Sequence, residues 1–559
     1  MGCSESKVES KTIEPIETKP SPLAITQHLV NDPQPVRVVE NFVLLWYSPN
    51  SLKGWENIKT GLRKLISYIK IFYDSNECIT YIESIRIERV ILLVPNMDSW
   101  VTPLEKLSQV ERIYVFNDQS NIESFCQQLK TDLDLCELDL INITVFPNPT
   151  QIGVTSAELK RQEASFLLGQ LMREMLHRLK FENNAKTEFV NFFRMNYAHD
   201  EEQLRAINDF ETNYRPNKAL AWLMRPCFLQ RVIQRLERTY EFDLHYKIAF
   251  FAKHVCIQMN IFQENISLAR EKNWIVYRGK TMPPEIFENL LKNKSGCLFS
   301  ISAYFIAETN KDFAVDFICR RLMTYPERIG VIFEMHIDPA ARSARSPCAW
   351  LEEVYGSETN EKEGILFSGH SAFRIEAIEE VTEQSKAMWL IKLVLVSDDD
   401  PQLLRIVLSL RSSDVYTNPL SYLGKLLMEK GDYEQAEEFF LALLLDPSVL
   451  NQPHRLARVH RGLATNYAYK GEYSKALGHY QQAIEHSSAY LPPDHPDFVP
   501  LYDGIGNCYY KMGSYQNAIE KYEEAAKMLS KASQSMNEQL TSDLNTRIAN
   551  TKKLLSHKP

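Results

Sequence analysis

Three stretches near the C-terminal end of the chain share one pattern, and this repeat restricts the fold more than any other feature of the sequence. Each unit contains a Gly-x-Tyr-x-x-Ala segment, which begins at Gly431, at Gly471 and at Gly513. The units follow one another at a period of about 40 residues, and aromatic and small residues recur around each segment. Small residues let paired helices pack closely, and a glycine suits the turn between them. The pattern therefore predicts a stack of helical pairs.

This pattern resembles the tetratricopeptide repeat, and its longer period is similar to that of kinesin light chains, as is the segment Asp494-His495-Pro496-Asp497. The resemblance implies a C-terminal α-helical array over residues 402–530, followed by a polar helical tail over residues 531–559. Such arrays offer a concave groove to a peptide or helix of a partner protein, although a short array can also just cover a neighbouring domain. We expect His460, His479 and His495 to be packing or capping residues, not ligands.

Composition limits the remaining function classes. At 559 residues the chain is too long for one hydrophobic core. Its net charge of −9 argues against a nucleic-acid partner, because phosphate binding needs a basic surface. The 10 cysteines show neither CxxC nor Cys/His zinc spacing, so we expect reduced thiols and no metal. The sequence has no apolar run long enough to span a bilayer and no secretory signal.

The N-terminal residues match a lipid-anchoring pattern. Gly2 with Ser6 fits N-myristoylation, and the neighbouring Cys3 fits palmitoylation. Two acyl chains hold a protein stably at a membrane, whereas one holds it only marginally. The polar, proline-containing residues 1–35 then form a disordered tether. We expect a lipid-anchored protein at the cytoplasmic face of a membrane, or a cytoplasmic one if Gly2 belongs to an ordinary disordered terminus.

Residues 36–150 have the alternating texture of a small doubly wound (flavodoxin-like) α/β domain. Helical spacing runs from Trp55 to Ile69. Four apolar runs are predicted as buried strands: Phe42–Trp46, Val90–Val94, Ile113–Phe116 and Ile143–Phe146. No glycine-rich phosphate loop follows any of them, so we expect this domain to serve docking or autoregulation and not nucleotide binding.

Residues 155–398 begin with helical periodicity to about Ala269 and then become rich in strands. The first of these strands carries Tyr277-Arg278-Gly279. This order resembles the arginine-type (R-S-E) mono-ADP-ribosyltransferases. The resemblance implies an α+β domain that uses NAD or NADP as a substrate without a metal, with Arg278 on the dinucleotide phosphates.

The chemistry of such a site can be stated from the side chains. An arginine fork gives bidentate, charge-assisted hydrogen bonds to a pyrophosphate. Loss of nicotinamide leaves an oxocarbenium-like ribose, which a nearby carboxylate stabilises. The segment Glu361-Lys362-Glu363 supplies two carboxylates. By the resemblance, Glu363 would stabilise the ribosyl cation and Glu361 would orient the acceptor.

Two positions depart from the family pattern. Ile306-Ala307-Glu308 stands where the family has Ser-Thr-Ser. Ser300-Ile301-Ser302 is a candidate substitute out of register, and the interpretation we favour for it is plain turn and strand chemistry. Gly364 stands directly before the apolar run, where the family has its catalytic glutamate. Either Gly364 replaces that carboxylate, or the preceding loop gained a residue and Glu361 and Glu363 still serve.

Two functions follow from these motifs. The first is a membrane-tethered, NAD-dependent protein-arginine mono-ADP-ribosyltransferase that is targeted to its acceptor through the repeats. The alternative is a catalytically decayed transferase-fold scaffold that binds a protein partner. The fold prediction is common to both: a doubly wound α/β domain, an ADP-ribosyltransferase-like α+β domain and a tetratricopeptide array.

Overall fold

The structure is a computed structural model. Gly2, Cys3 and Glu361, which the sequence singles out, lie outside the residues it describes, as does the whole predicted tether. The described residues are 38–49, 55–116, 122–146, 156–178, 181, 184–198, 200–239, 241–269, 273–338, 341, 346–355, 363–408, 419–445, 447–531 and 538–556.

The first lobe is built on a four-stranded parallel sheet. Its strands are β1 (Phe42–Tyr47), β2 (Ile69–Phe72), β3 (Arg89–Val94) and β4 (Val110–Val115), in the order β2-β1-β3-β4. Its helices are α1 (Trp55–Arg63), α2 (Ser75–Ser84) and α3 (Ile122–Asp139). Helices α1 and α3 cover one face and α2 the other, which explains the continuous apolar strands. The predicted doubly wound fold is confirmed.

Two details of that prediction were wrong. Helix α1 ends at Arg63, and Ile69 begins strand β2, where it pairs with Leu44 of β1. The helical spacing in the sequence continues past the end of α1, because a short apolar run fits both the helical period and the strand period.

The predicted strand at the end of the first domain exists, but it belongs to another sheet. Strand β5 (Ile143–Phe146) pairs antiparallel with β7 (Leu298–Ile301). Asp139, the last residue of α3, accepts hydrogen bonds from Thr281 and Arg321, which belong to the domain built on that other sheet. The end of α3 is therefore hydrogen-bonded to that domain, and the chain then enters its sheet as β5.

A helical lobe follows, with an aromatic core that includes Phe189, Phe193, Phe210 and Phe228. Its helices are α4 (Ser156–Arg178), α5 (Ala185–Asn196), α6 (Glu201–Asn213), α7 (Ala219–Leu223), α8 (Phe228–Thr239) and α9 (Phe242–Ala269). After α9 the chain enters the large sheet at its fourth strand.

The large sheet has nine strands within the described residues, in the order β10-β11-β8-β6-β9-β13-β12-β7-β5. Its remaining strands are β6 (Trp274–Met282), β8 (Phe305–Glu308), β9 (Ile329–Ile337), β10 (Cys348–Trp350), β11 (Gly364–Phe367), β12 (Ser371–Glu383) and β13 (Lys386–Leu395). The helices beside it are α10 (Pro284–Leu290), α11 (Lys311–Thr324), α12 (Leu351–Tyr355) and α13 (Pro401–Leu408). Helices and sheet together form the predicted α+β domain.

The C-terminal region is helical, as the repeat predicted. Its helices are α14 (Pro419–Lys430), α15 (Tyr433–Leu444), α16 (Pro447–Leu450), α17 (Pro453–Lys470), α18 (Tyr473–Ser488), α19 (Val499–Lys511), α20 (Tyr515–Lys531) and α21 (Glu538–Ser556). Gly431, Gly471 and Gly513 all have positive φ, of 95°, 79° and 75°, at the turns between paired helices. Leu544 of the tail helix α21 is buried against α20.

The array shares its core with the lobe before it. Leu167 and Leu171 of α4 belong to the same buried cluster as Leu423 and Leu427 of α14. The first repeat is therefore packed onto the lobe and is not an independent appendage. Across the described residues, no helix is both long and apolar enough to cross a membrane.

Candidate functional site

Arg278 lies in the middle of β6, at a place where the sheet changes its pairing. Strand β6 pairs with β9 from Trp274 to Met282, but it pairs with β8 at one point, Tyr277 opposite Glu308. Buried Val276 and Met282 anchor the strand in the core on either side. The strand that carries Arg278 is thus fixed along one edge and nearly open along the other.

The Arg278 guanidinium extends across this opening. Its Nη1 donates to the carbonyl oxygen of Ile306 at 2.8 Å, and its guanidinium carbon lies 5.6 Å from the centre of the Phe305 ring. Ile306 is the one hydrogen-bond acceptor that the guanidinium reaches within the described part of the chain. Burial lowers the pKa of Arg278 to about 10, although the carboxylates of Asp139 and Glu308 act in the opposite direction. The group therefore stays a cation at neutral pH, with donors to offer an anion.

The strand that was expected to carry hydroxyls is the middle one of three adjacent strands. In the order β11-β8-β6, Ile306, Ala307 and Glu308 of β8 lie between the Arg278 strand and the strand that begins at Gly364. The family pattern thus pointed to three strands that are adjacent in the sheet, although β8 carries no hydroxyl at these positions.

Gly364 occupies a regular place in β11. It is buried and lies opposite Glu308, and the pairing runs without a bulge to Phe367 opposite Phe305. A Cβ added at Gly364 would lie 2.9 Å from the Ala307 carbonyl oxygen and 3.1 Å from Glu308 Oε2. A side chain at position 364 would therefore collide with the Ala307 carbonyl oxygen and press against the Glu308 carboxylate.

Glu363, the predicted cation-stabilising residue, lies just outside this strand. Its side chain is exposed, and its Oε2 accepts a hydrogen bond from Thr309 Oγ1 at 3.2 Å. Because consecutive residues of a strand point to opposite faces, Glu363 lies on the face opposite to Glu308. Its catalytic role stays a prediction, as does that of Glu361.

The out-of-register serines do not join this site. Ser300 is buried in β7 between Ala372 of β12 and Thr144 of β5. Ser302 Oγ donates to the Asn142 carbonyl oxygen at 3.2 Å. Four strands separate β7 from β8 in the sheet, so neither serine belongs to the Arg278 site, and the Ser302 hydroxyl instead contacts the residue before β5.

A contact between the lobes, absent from the sequence predictions, is centred on the same strand β6. Asp139 Oδ2 accepts from Thr281 Oγ1 at 2.6 Å and from Arg321 Nε at 2.7 Å. Lys280 Nζ donates to the backbone carbonyl oxygens of Asp139 at 2.6 Å and Ile141 at 3.1 Å. Burial opposes the charge of Asp139, yet the cations Lys280 and Arg321 hold its pKa below the usual value.

A cavity of about 100 Å³ lies at the start of β8, and Arg278, Glu308 and Glu363 are not in its lining. Most of its walls are aliphatic, but Arg173, Glu237 and His370 also face it. Both carboxylate oxygens of Glu237 accept from the backbone N–H of Tyr304, at 3.1 and 3.0 Å. Burial nevertheless raises the pKa of Glu237 to about 8, and burial lowers that of His370 to about 3. No sequence signal marked this cavity, because its lining comes from helices and turns far apart in the chain.

Histidines in the array have the packing and capping roles predicted for them. His460 Nδ1 and His479 Nδ1 are 3.1 Å apart, and their rings stack. His495 Nδ1 accepts the backbone N–H of Asp497 at a helix start. Within the described residues there is no group of three potential metal ligands.

Comparison with known proteins identifies the repeats. The family model for the tetratricopeptide repeat matches residues 416–487 and 455–531. This match covers the C-terminal array and does not extend to the residues before 416. No curated protein matches the chain.

Solved structures resemble parts of the chain. BtubC (BKLC) from P. vanneervenii is 21% identical over 28% of this chain and 63% of its own length, which is under two thirds, with a TM-score of 0.24. Plx2a, an ADP-ribosyltransferase toxin from Paenibacillus larvae, is 10% identical over 35% of this chain and 94% of its own, with a TM-score of 0.22. The ADP-ribosylating toxin BECa of C. perfringens, solved with NADH, is 16% identical over 39% and 50%, with a TM-score of 0.19. These scores are too low to assign a function.

Proposed function

We propose that this chain is an NAD-dependent mono-ADP-ribosyltransferase that modifies arginine on a partner protein. The observation that carries the proposal is the adjacency of β11, β8 and β6, which sets the Arg278 strand beside β8, which carries Glu308, and next but one to β11, which begins directly after Glu363. A cation and carboxylates at one end of a sheet suit a substrate with an anionic pyrophosphate and a ribose that becomes cationic.

Arg278 is the group that would hold the dinucleotide. Its planar fork matches two phosphate oxygens, and partial burial strengthens such an ion pair relative to water. Its contact with the Ile306 carbonyl fixes the guanidinium in the opening between β6 and β8. NAD is the preferred substrate, with NADP as the alternative dinucleotide.

The other regions would supply location and choice of acceptor. The tetratricopeptide array offers helical surfaces on which a peptide or helix of the acceptor can bind. Its shared core with α4 would hold such an acceptor at a fixed distance from the sheet. Acylation of Gly2 and Cys3 would keep the protein at the cytoplasmic face of a membrane.

A second candidate function is a partner-binding scaffold without turnover. Ile306 in place of a serine and Gly364 in place of a glutamate favour it. The scaffold and the enzyme differ in one measurable property, the release of nicotinamide from NAD.

The test compares the full chain with Arg278→Ala and Arg278→Lys. We expect the full chain to bind NAD in calorimetry, to release nicotinamide and to label an arginine-containing acceptor. Arg278→Ala should weaken NAD binding at least about tenfold, and Arg278→Lys should restore only part of it, because a point charge lacks the bidentate fork.

The matched control is Arg225→Ala, which removes an exposed arginine that pairs with Asp209 in the helical lobe. It should bind NAD like the unchanged chain. NAD binding without any nicotinamide release would favour the scaffold. Absence of NAD binding by the unchanged chain would exclude the proposed enzyme.

A further inference from the structure

We infer that Thr309 is a positioning residue for the proposed transfer, because its hydroxyl holds the Glu363 carboxylate on the face of the sheet that carries Arg278. This inference rests on the proposed NAD-dependent function and names a residue that the sequence motifs did not. It stands on the register of strands β6, β8 and β11 and on one hydrogen bond between side chains.

The register of β8 and β11 sets Thr309 beside Glu363. The antiparallel pairing of these strands is regular, and it ends with Glu308 opposite Gly364. One step beyond this pair, the two facing positions are Thr309 and Glu363. Their side chains make the contact expected of such a cross-strand pair, because Thr309 Oγ1 donates to Glu363 Oε2 at 3.2 Å. Glu363 is thus held as the next member of the pairing, although it lies outside β11.

The register of β6 and β8 sets the Thr309 side chain on the face of Arg278. Residues directly opposite each other in neighbouring strands point to one face, and successive residues of a strand alternate. Glu308 lies opposite Tyr277. The residues that follow these two in the chain, Thr309 and Arg278, therefore both point to the other face. A ring contact agrees: the Arg278 guanidinium carbon lies 5.6 Å from the ring centre of Phe305, which stands four residues before Thr309.

Arg278 and Glu363 therefore reach one face from the two outer strands of the three. Neighbouring strands lie about 4.8 Å apart, so roughly 10 Å separates β6 from β11 across β8. Thr309 and Arg278 are half-buried and Glu363 is exposed, so this end of the face can be reached from solvent. Such spacing suits one extended substrate, with its phosphates at Arg278 and its reacting ribose at Glu363.

A carboxylate on the surface needs support to act at a fixed point. A glutamate side chain turns about several bonds, and stabilisation of a transition state depends on charges that are in place before the reaction. Thr309 binds one carboxylate oxygen of Glu363, Oε2. Among the described residues, Oε1 has no hydrogen-bond donor, so it is the oxygen left to face the ribose. The threonine is branched at Cβ and has few rotamers, so its hydroxyl is a stiff support.

In the proposed step, the bond between ribose C1′ and the nicotinamide ring nitrogen breaks. Its electron pair goes to the ring, which leaves as neutral nicotinamide, and the positive charge passes to C1′ and the ring oxygen of the ribose. The Glu363 carboxylate stabilises that charge without forming a bond, while Thr309 keeps its own proton. An acceptor guanidine nitrogen, or water, then bonds to C1′ and releases one proton to solvent.

The experiment measures NAD affinity by calorimetry, and kcat and KM for nicotinamide release, in the full chain and its variants. Thr309→Val removes the hydroxyl and keeps the shape of the side chain. We expect it to lower kcat about tenfold or more while KM and NAD affinity stay within about threefold, because the carboxylate is displaced and the phosphate contact is not. Thr309→Ser, which restores the hydroxyl, should recover most of kcat.

A double variant separates positioning from a general loss of structure. Glu363→Ala should abolish most of the turnover, and adding Thr309→Val to it should lower the rate no further, because no carboxylate is left to position. The matched control is Thr80→Val, at an exposed helical position of the first lobe, and it should react like the unchanged chain. Melting temperatures show that each variant is folded.

Three results would overturn the role of Thr309 and leave the proposed function standing. They are unchanged turnover in Thr309→Val, unchanged turnover in Glu363→Ala, and an equal effect of Thr309→Val with and without the Glu363 carboxylate. No nicotinamide release by the unchanged chain would overturn both the role and the function.

Discussion

Glu237 shows how burial controls a single carboxyl group in this chain. It faces the cavity at the start of β8 and accepts two contacts from one backbone N–H, that of Tyr304. Burial raises its pKa from 4.5 to about 8, while that N–H and Arg173 act in the opposite direction. At neutral pH the group is therefore largely protonated in the folded state and ionised in the unfolded one.

This difference predicts a pH dependence of stability. A raised folded pKa contributes stability that is fully present below about pH 4.5 and is lost as pH rises through about 8, because the folded state binds the extra proton. Glu237→Gln should remove that contribution, so its melting temperature should fall less between pH 5 and pH 8 than that of the unchanged chain. The control is Glu105→Gln, at an exposed position of the first lobe. Parallel curves for all three proteins would contradict the prediction.

Among single residues, Arg278 could be identified from the sequence, because an arginine followed by a glycine at the end of an apolar run is a local pattern. The sequence could not predict the contact between Glu308 and Gly364, because that contact depends on which residue of β11 lies opposite Glu308. Strand register is set by contacts between distant segments, and a shift of one residue would turn Glu308 to the other face. The sequence did not mark Glu237 or Arg173 either, because the cavity they line is formed by segments far apart in the chain.

The elements of the array are held together by aromatic rings against glycines. The Phe440 ring of α15 lies between two glycines, so that a Cβ at Gly424 would come 2.2 Å from its Cζ and one at Gly462 would come 2.4 Å. Helix α15 therefore touches the backbones of both α14 and α17. The repeat needs small residues here for contact distance, not for backbone flexibility.

Alanine substitutions at two helical glycines should separate these effects. Gly478 of α18 has open space where a Cβ would be, so Gly478→Ala should be neutral or stabilising by up to about 1 kcal/mol. Gly462→Ala gains the same helix propensity but must displace the Phe440 ring, and should destabilise by about 1–3 kcal/mol. Hydrogen exchange in peptides from α15 and α17 measures this locally. Equal protection in the two variants would show that the ring contact does not hold the repeats together.

Element prediction succeeded where the determining contacts are close in sequence. The repeats were recognised because each helical pair packs mainly on its neighbours. Strand β2 and the sheet membership of β5 were missed, because a four-residue strand has the same apolar content as a helix end and its partner is chosen by tertiary contacts.

For the whole molecule, the docking of the first lobe on β6 is the contact most open to test. Asp139→Asn would leave Arg321, which is 1% exposed, without its buried carboxylate. Removing one partner of such a pair costs about 3–5 kcal/mol. We expect faster proteolysis and hydrogen exchange at the end of α3 and in β5, and a lower melting temperature.

Asp209→Asn, which breaks an exposed pair with Arg225, provides the control and should change none of these. The native contact should also weaken in acid. The cations around Asp139 lower its folded pKa, so its contribution is present above its unfolded pKa and is lost as pH falls through the folded value. Unchanged exchange at α3 and β5 in Asp139→Asn would show that other contacts hold the lobes.

The place of strand β5 in the large sheet limits which gene segments can be exchanged by recombination. The strand lies upstream of the helical lobe in sequence, yet it forms the edge of the large sheet beside β7. A gene fragment that began at α4 would encode a sheet with the β7 edge bare, and a bare edge invites pairing with other chains. The exchangeable unit must therefore begin before residue 143. Because α3 leads directly into that strand and is anchored on β6, the first lobe and the domain that contains the large sheet are expected to be inherited as one piece.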